Sequence, residues 1–264
     1  MNIFQATIYG IVQGLTEFLP VSSSAHLILL PYFTGWPDPG LAFDVALHWG
    51  TLAAIVLYLR KDIVAVIWGG IGALTGGRAP ENLLPWKIVV ATVPGALFGF
   101  FFEHQAETVF RSPWILVGTM SVMGLLLWYA DRTGKKTLKM EDITWTRAFI
   151  VGCLQAFALI PGVSRSGVTI TTCLLLGLER EASVRFSFLL ALPITAGAGL
   201  LKYKYLLHNI GDPTIGVAIL VSAVAGMAAI HVLITYVRTR SFTPFVVYRL
   251  LLAAGLAATL VLHT

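Results

Sequence analysis

Glu17 and Arg165 each lie within four residues of a proline that interrupts a long apolar stretch. The first stretch reads Gln13-Gly14-Leu15-Thr16-Glu17-Phe18-Leu19-Pro20-Val21-Ser22-Ser23-Ser24-Ala25-His26. Gln13 and Glu17 are four apart and so share one face of a helix that Pro20 ends. The serines fall where a second helix begins. Serine is a favoured N-cap, and the free amides and dipole of a helix start attract anions. His26 follows one turn inside that helix. The second stretch is Pro161-Gly162-Val163-Ser164-Arg165-Ser166-Gly167-Val168-Thr169. Its guanidinium stays charged when desolvated and presents a fork suited to phosphate. An arginine set between hydroxyls, flanked by glycines and placed at a helix start, is chemistry for a phosphate or diphosphate. Glu17, Ser23, His26 and Arg165 are therefore the candidate catalytic residues. Gln13, Ser22, Ser24, Ser164, Ser166 and Thr169 are the candidates for direct phosphate contact.

The elements that must position these residues belong to a membrane. Only 12% of the 264 residues are charged and 57% are hydrophobic, about half the charge of an ordinary soluble domain. Disordered, collagen-like and nucleic-acid-binding classes are excluded by the same composition. Cys153 and Cys173 lie in apolar stretches and suggest no disulfide framework. Six spans are expected, at 41–59, 88–102, 114–130, 186–201, 215–237 and 245–262. The glycine-rich stretch 63–74 is too short to span. The interrupted regions 3–33 and 148–178 read as two re-entrant helical hairpins. With no Lys or Arg before Arg60, a secretory leader is not expected, and the first segment stays in the protein.

Treating each broken region as re-entrant places segments 60–87, 131–147, 178–185 and 238–244 on one side. They hold thirteen of the eighteen Lys and Arg, against Arg111, Lys202 and Lys204 on the other side. The positive-inside rule then puts both termini outside. Residues 6–24 laid on 148–166 give seven identities in nineteen positions, among them Gly10/Gly152, Gln13/Gln155, Ser22/Ser164 and Ser24/Ser166. Residues 1–130 and 148–264 thus form two inverted repeats joined by a basic connector, 131–147. The expected fold is an all-α polytopic membrane protein of about six spans and two re-entrant hairpins. Glu17 faces Leu159 across the repeat and Ser23 faces Arg165, so the halves have divided the chemistry.

Together, Gln13-x-x-x-Glu17 and the run from Pro161 to Thr169 resemble the undecaprenyl-pyrophosphate phosphatase family, the bacitracin-resistance type of bacterial membrane protein. The resemblance runs nearly end to end and takes in Phe186-Ser187-Phe188-Leu189-Leu190 and Ser241-Phe242-x-Pro244-Phe245 with Tyr248-Arg249. It implies removal of the terminal phosphate from a C55 isoprenoid pyrophosphate, which regenerates the lipid carrier of cell-wall synthesis. It also implies a home in the bacterial cytoplasmic (inner) membrane, a site open to the outer face, and competition with bacitracin for the substrate. Gln13 stands where family members carry Glu or Gln, and it cannot act as a base.

Within that chemistry, Ser23 is a candidate nucleophile with His26 as base and Glu17 orienting the imidazole. A water activated by Glu17 or by a bound Mg²⁺ or Ca²⁺ is the alternative. Glu17, Asp44 and His48 are the candidate cation ligands, and no organic cofactor is expected. Arg249 is expected to be an interfacial or inter-helix partner rather than a catalyst, and His231 to be a packed or hydrogen-bonded helix residue. A secondary transporter or lipid flippase could use the same inverted repeats and intramembrane charges.

Overall fold

The computed structural model of the chain describes residues 1–76, 83–102, 105, 110, 112–201, 203–209 and 211–262. The described residues hold twelve α-helices and no strand. They are α1 (Ile3–Phe18), α2 (Ser23–Thr34), α3 (Leu41–Tyr58), α4 (Arg60–Leu74), α5 (Leu84–Phe101) and α6 (Pro113–Thr133). There follow α7 (Trp145–Gln155), α8 (Arg165–Leu175), α9 (Arg180–Leu201), α10 (Tyr203–His208), α11 (Pro213–Val237) and α12 (Thr243–Leu262). Among the described residues, α5, α6, α9, α11 and α12 are long and apolar enough to cross a membrane, and α3 is a shorter apolar helix over Ala42–Tyr58. All six expected spans form helices, and α4, at 15 residues, is too short to be one.

The outer surface supports the same reading. Phe100 and Phe101 are 67% and 69% exposed, and Leu251 is 68% exposed, each on a candidate span. Water would not tolerate so continuous an apolar surface on a monomer, whereas lipid does. Helix α9 begins at Arg180, six residues earlier than the expected span. The charges that argued for a loop are paired there instead: Arg180 Nε donates to Asp131 at 2.6 Å and Arg185 reaches Asp62 at 2.6 Å. Arg238 donates twice to Glu181, at 2.9 and 3.0 Å. The backbone N–H groups of Thr137 and Leu138 both donate to Gly177 O. Contacts of this kind link segments 60–87, 131–147, 178–185 and 238–244, so the four basic segments meet at one end of the bundle. Arg78, Arg111 and Lys202, which entered the charge count, lie outside the described residues.

Helix packing relies on missing side chains. Without a hydrophobic force between helices in lipid, close backbone approach supplies the attraction. The most extensive helix pair is α1 with α11. A Cβ on Gly10 would stand 2.6 Å from Ala218 O, and one on Gly14 2.5 Å from Ser222 O. The second interrupted region repeats the device, since a Cβ on Gly152 of α7 would stand 2.4 Å from Ala91 O of α5. Gly14→Ala is therefore expected to destabilise the protein by about 1–3 kcal/mol through overpacking. A thermal unfolding midpoint in detergent equal to that of the unsubstituted protein would contradict this packing.

Candidate active site

The two breaks have the same local geometry. Ser22 takes φ 76° and Ser164 φ 72°, in the left-handed region that non-glycine residues rarely occupy. Each caps the helix it opens: Ser22 Oγ accepts from Ala25 N at 3.4 Å, and Ser164 Oγ from Gly167 N at 3.0 Å. Each also lies 3.2 Å from the hydroxyl two residues on, Ser24 or Ser166. The Val-Ser-x-Ser run is thus a backbone device that turns the chain into a new helix start.

Proline breaks release carbonyls that lipid cannot satisfy. Arg249, 1% exposed, gathers them from both regions. Its Nη1 donates to Pro20 O at 3.2 Å, its Nη2 to Gly162 O at 2.7 Å, and its Nε to Met120 O at 3.2 Å. Ser166 Oγ adds a second tie by donating to Leu19 O at 3.2 Å. Arg249 is the inter-helix partner expected of it. Gly162, at φ 87°, lets the second break approach α6, where any Cβ would collide with Thr119 Oγ1.

This stitching brings the acid of one region onto the cation of the other. Arg165 Nη2 donates to Glu17 Oε1 at 2.9 Å, and its Nη1 to Ser187 O at 3.1 Å. With these two N–H groups engaged, three of the five guanidinium donors remain for a ligand. Glu17 Oε2 accepts from Ser23 Oγ at 2.5 Å and from Gln13 Nε2 at 3.1 Å. His48 Nε2 lies 3.3 Å from the same oxygen, and its Nδ1 is 2.7 Å from Asp44 O. Ser23 and Arg165, which occupy equivalent positions of the two regions, converge on one carboxylate.

A cavity of about 690 Å³ opens over this cluster. Glu17, Ser23, Ser24, Ser164, Arg165 and His48 are among its polar lining residues, and Leu27, Ile28, Phe100 and Leu201 among its apolar ones. Several sequence expectations are corrected by this arrangement. Ser23 does not meet His26. The imidazole Nδ1 lies 2.7 Å from Ser22 O, and its Nε2 2.6 Å from Tyr248 Oη, against which the ring stacks. With both ring nitrogens engaged and the ring outside the cavity lining, His26 is not placed to act as base on Ser23. Gln13 holds Glu17. Ser22 and Ser166 serve the backbone. Thr169 Oγ1 bonds Ser187 Oγ at 2.6 Å. Of the residues expected at phosphate, Ser24 and Ser164 line the cavity.

Mg²⁺ and Ca²⁺ take six or more oxygen ligands, drawn largely from carboxylates. Among the described residues, no group of three His, Cys, Asp or Glu side chains could hold a metal. Both Glu17 oxygens already accept hydrogen bonds. Among the described residues, Glu17, Asp44 and His48 do not form such a metal-holding group. Two residues that sequence reasoning did not assign to the site now join it: Ser187 orients Arg165 and Gln155 lines the cavity. His48, expected only as a cation ligand, braces Glu17. The Gln13/Gln155 match of the repeat was the signal for Gln155.

Helix breaks, a buried acid–arginine pair and an apolar cavity define a polytopic membrane protein built to hold an anionic headgroup. The family model described as bacitracin resistance protein BacA matches residues 6–255. The chain is 51% identical over 259 residues to an undecaprenyl-diphosphatase of Moorella thermoacetica, covering 98% of each chain. It is 48% identical over 260 residues to one of Saccharophagus degradans, with the same coverage, and 47% identical over 266 residues to one of Trichlorobacter lovleyi. The chain belongs to the bacitracin resistance protein BacA family.

Proposed function

We propose that the cavity binds the diphosphate headgroup of undecaprenyl pyrophosphate and that Ser23 attacks its terminal phosphorus. The overall reaction is hydrolysis to undecaprenyl phosphate and inorganic phosphate, which recycles the lipid carrier of cell-wall synthesis and confers bacitracin resistance. Bacitracin would compete by sequestering the same lipid. The observation that carries the assignment of the nucleophile is the 2.5 Å bond from Ser23 Oγ to Glu17 Oε2. Glu17 takes the hydroxyl proton as the Oγ–P bond forms and the bridging P–O bond breaks, releasing the polyprenyl phosphate. Water then attacks the phosphoserine, and Glu17 passes the proton back to Ser23 Oγ. The three uncommitted N–H groups of Arg165 and the opening amides of α2 and α8 neutralise the phosphoryl oxygens, the dominant contribution in phosphoryl transfer. Any divalent cation is carried by the diphosphate oxygens rather than by a preformed protein site.

The apolar side of the cavity, with Leu27 and Leu201, receives the start of the isoprenoid tail. Residues 1–130 and 148–264 act as inverted repeats about the 131–147 connector. Matching Ser22 and Ser164 backbones support this, as do the reciprocal packings of α1 on α11 and α7 on α5. The basic end faces the cytoplasm, with both termini and the cavity mouth at the outer face of the inner membrane.

Phosphate release by the purified protein separates the candidate nucleophile from the candidate bases. Ser23→Ala is expected to lower the rate about 10³-fold or more, the scale of losing a nucleophile that acts as part of a unit. His26→Ala should cost far less. A Ser23→Ala protein working at near-native rate would remove the covalent step.

A further inference from the structure

We infer that Gln155 is a direct substrate contact, its side-chain amide donating to a phosphoryl oxygen of the headgroup; the inference rests on the reading of the cavity as the diphosphate site. Gln155 ends α7 at the edge of the second break and is 3% exposed. Neither Oε1 nor Nε2 has a hydrogen-bond partner among the described residues, yet the side chain lines the cavity that holds Glu17, Ser23 and Arg165. An unmade buried hydrogen bond is costly, so such groups are rare unless a ligand completes them.

The repeat explains why this amide is unclaimed. Gln13, its equivalent, gives its Nε2 to Glu17 one turn further along α1. In the second region that position is Leu159, which accepts nothing. The same residue type is thus spent on the protein in one half and left open to the cavity in the other. Gly95 keeps the approach clear, because a Cβ there would stand 3.2 Å from Gln155 Nε2. Nε2 has hydrogens to donate to an anionic oxygen, while Oε1 can accept from a water or a protonated phosphate.

The test uses Gln155→Leu and Gln155→Glu in the full-length purified protein. The leucine should raise KM for a polyprenyl pyrophosphate about 10-fold or more, a lost hydrogen bond to a charged group, while kcat moves by less than about threefold. Its thermal midpoint should equal or exceed the native one, since no protein partner is lost. The glutamate replaces the donor with a negative charge and should weaken binding further. Thermal protection by inorganic pyrophosphate that is lost in Gln155→Leu assigns the contact to the headgroup. Protection by inorganic phosphate that is lost in the same way extends it to the product. An unchanged KM with undiminished protection would overturn the inference. So would a lowered midpoint or failure of both variants to fold, because each reveals a structural partner. Undiminished turnover by Arg165→Ala would instead sink the reading of the cavity as the catalytic site, so the two failures are distinguishable.

Discussion

Arg165→Ala is expected to reduce phosphate release about 10³- to 10⁵-fold, the range that transition-state arginines contribute in phosphoryl transfer. The loss has two physical sources. Three guanidinium donors that would meet the phosphoryl oxygens disappear, and Glu17 Oε1 loses its arginine partner at a carboxylate only 7% exposed. Arg165→Lys separates them. An ammonium restores charge near Glu17, but once it meets Glu17 and Ser187 O it keeps one donor where the guanidinium keeps three, and it lacks the planar fork. The lysine variant should therefore recover stability more fully than rate. Steady-state kinetics paired with thermal midpoints check both. Native kcat in either variant would contradict the placement of Arg165 at the reacting phosphate.

Arg249 is expected to show the opposite pattern, a stability effect first. Arg249→Met leaves Pro20 O and Gly162 O without the donor that now satisfies them, together with the carbonyl of Met120. Breaking a buried charged hub of this kind costs on the order of 3–5 kcal/mol. For a chain of this size that corresponds to a fall of about 10 °C in the thermal midpoint. Activity should fail along with it, because Ser22 and Ser164 hold their left-handed backbone only while the breaks are tied together. A midpoint within a degree or two of native would show that the breaks hold themselves.

Much of this organisation was legible in the sequence because lipid makes polar groups conspicuous. Pro20 and Pro161-Gly162 announced the breaks, and the scarcity of charge singled out Glu17 and Arg165, which the structure brings to 2.9 Å. Which hydroxyls were free was not legible. Ser22, Ser166 and Thr169 look like phosphate ligands by type, yet Ser22 and Thr169 answer local backbone needs and Ser166 reaches Leu19 O of the other region. His26 was assigned by its spacing from Ser23, whereas its partner Tyr248 lies 222 residues away. Likewise, the start of α9 depended on Asp62 and Asp131, acids in distant segments that make Arg180 and Arg185 acceptable in a helix. Sequence spacing reports on one helix; these outcomes were decided between helices.

Activation of Ser23 by Glu17 for attack on the terminal phosphorus is open to a direct test, a rapid-quench single turnover with polyprenyl pyrophosphate labelled in its terminal phosphate. Transient label is expected on Ser23, traceable to one peptide and absent from both Ser23→Ala and Glu17→Gln. Label passing straight to inorganic phosphate at every time point, with Ser23→Ala turning over at the native rate, would contradict it.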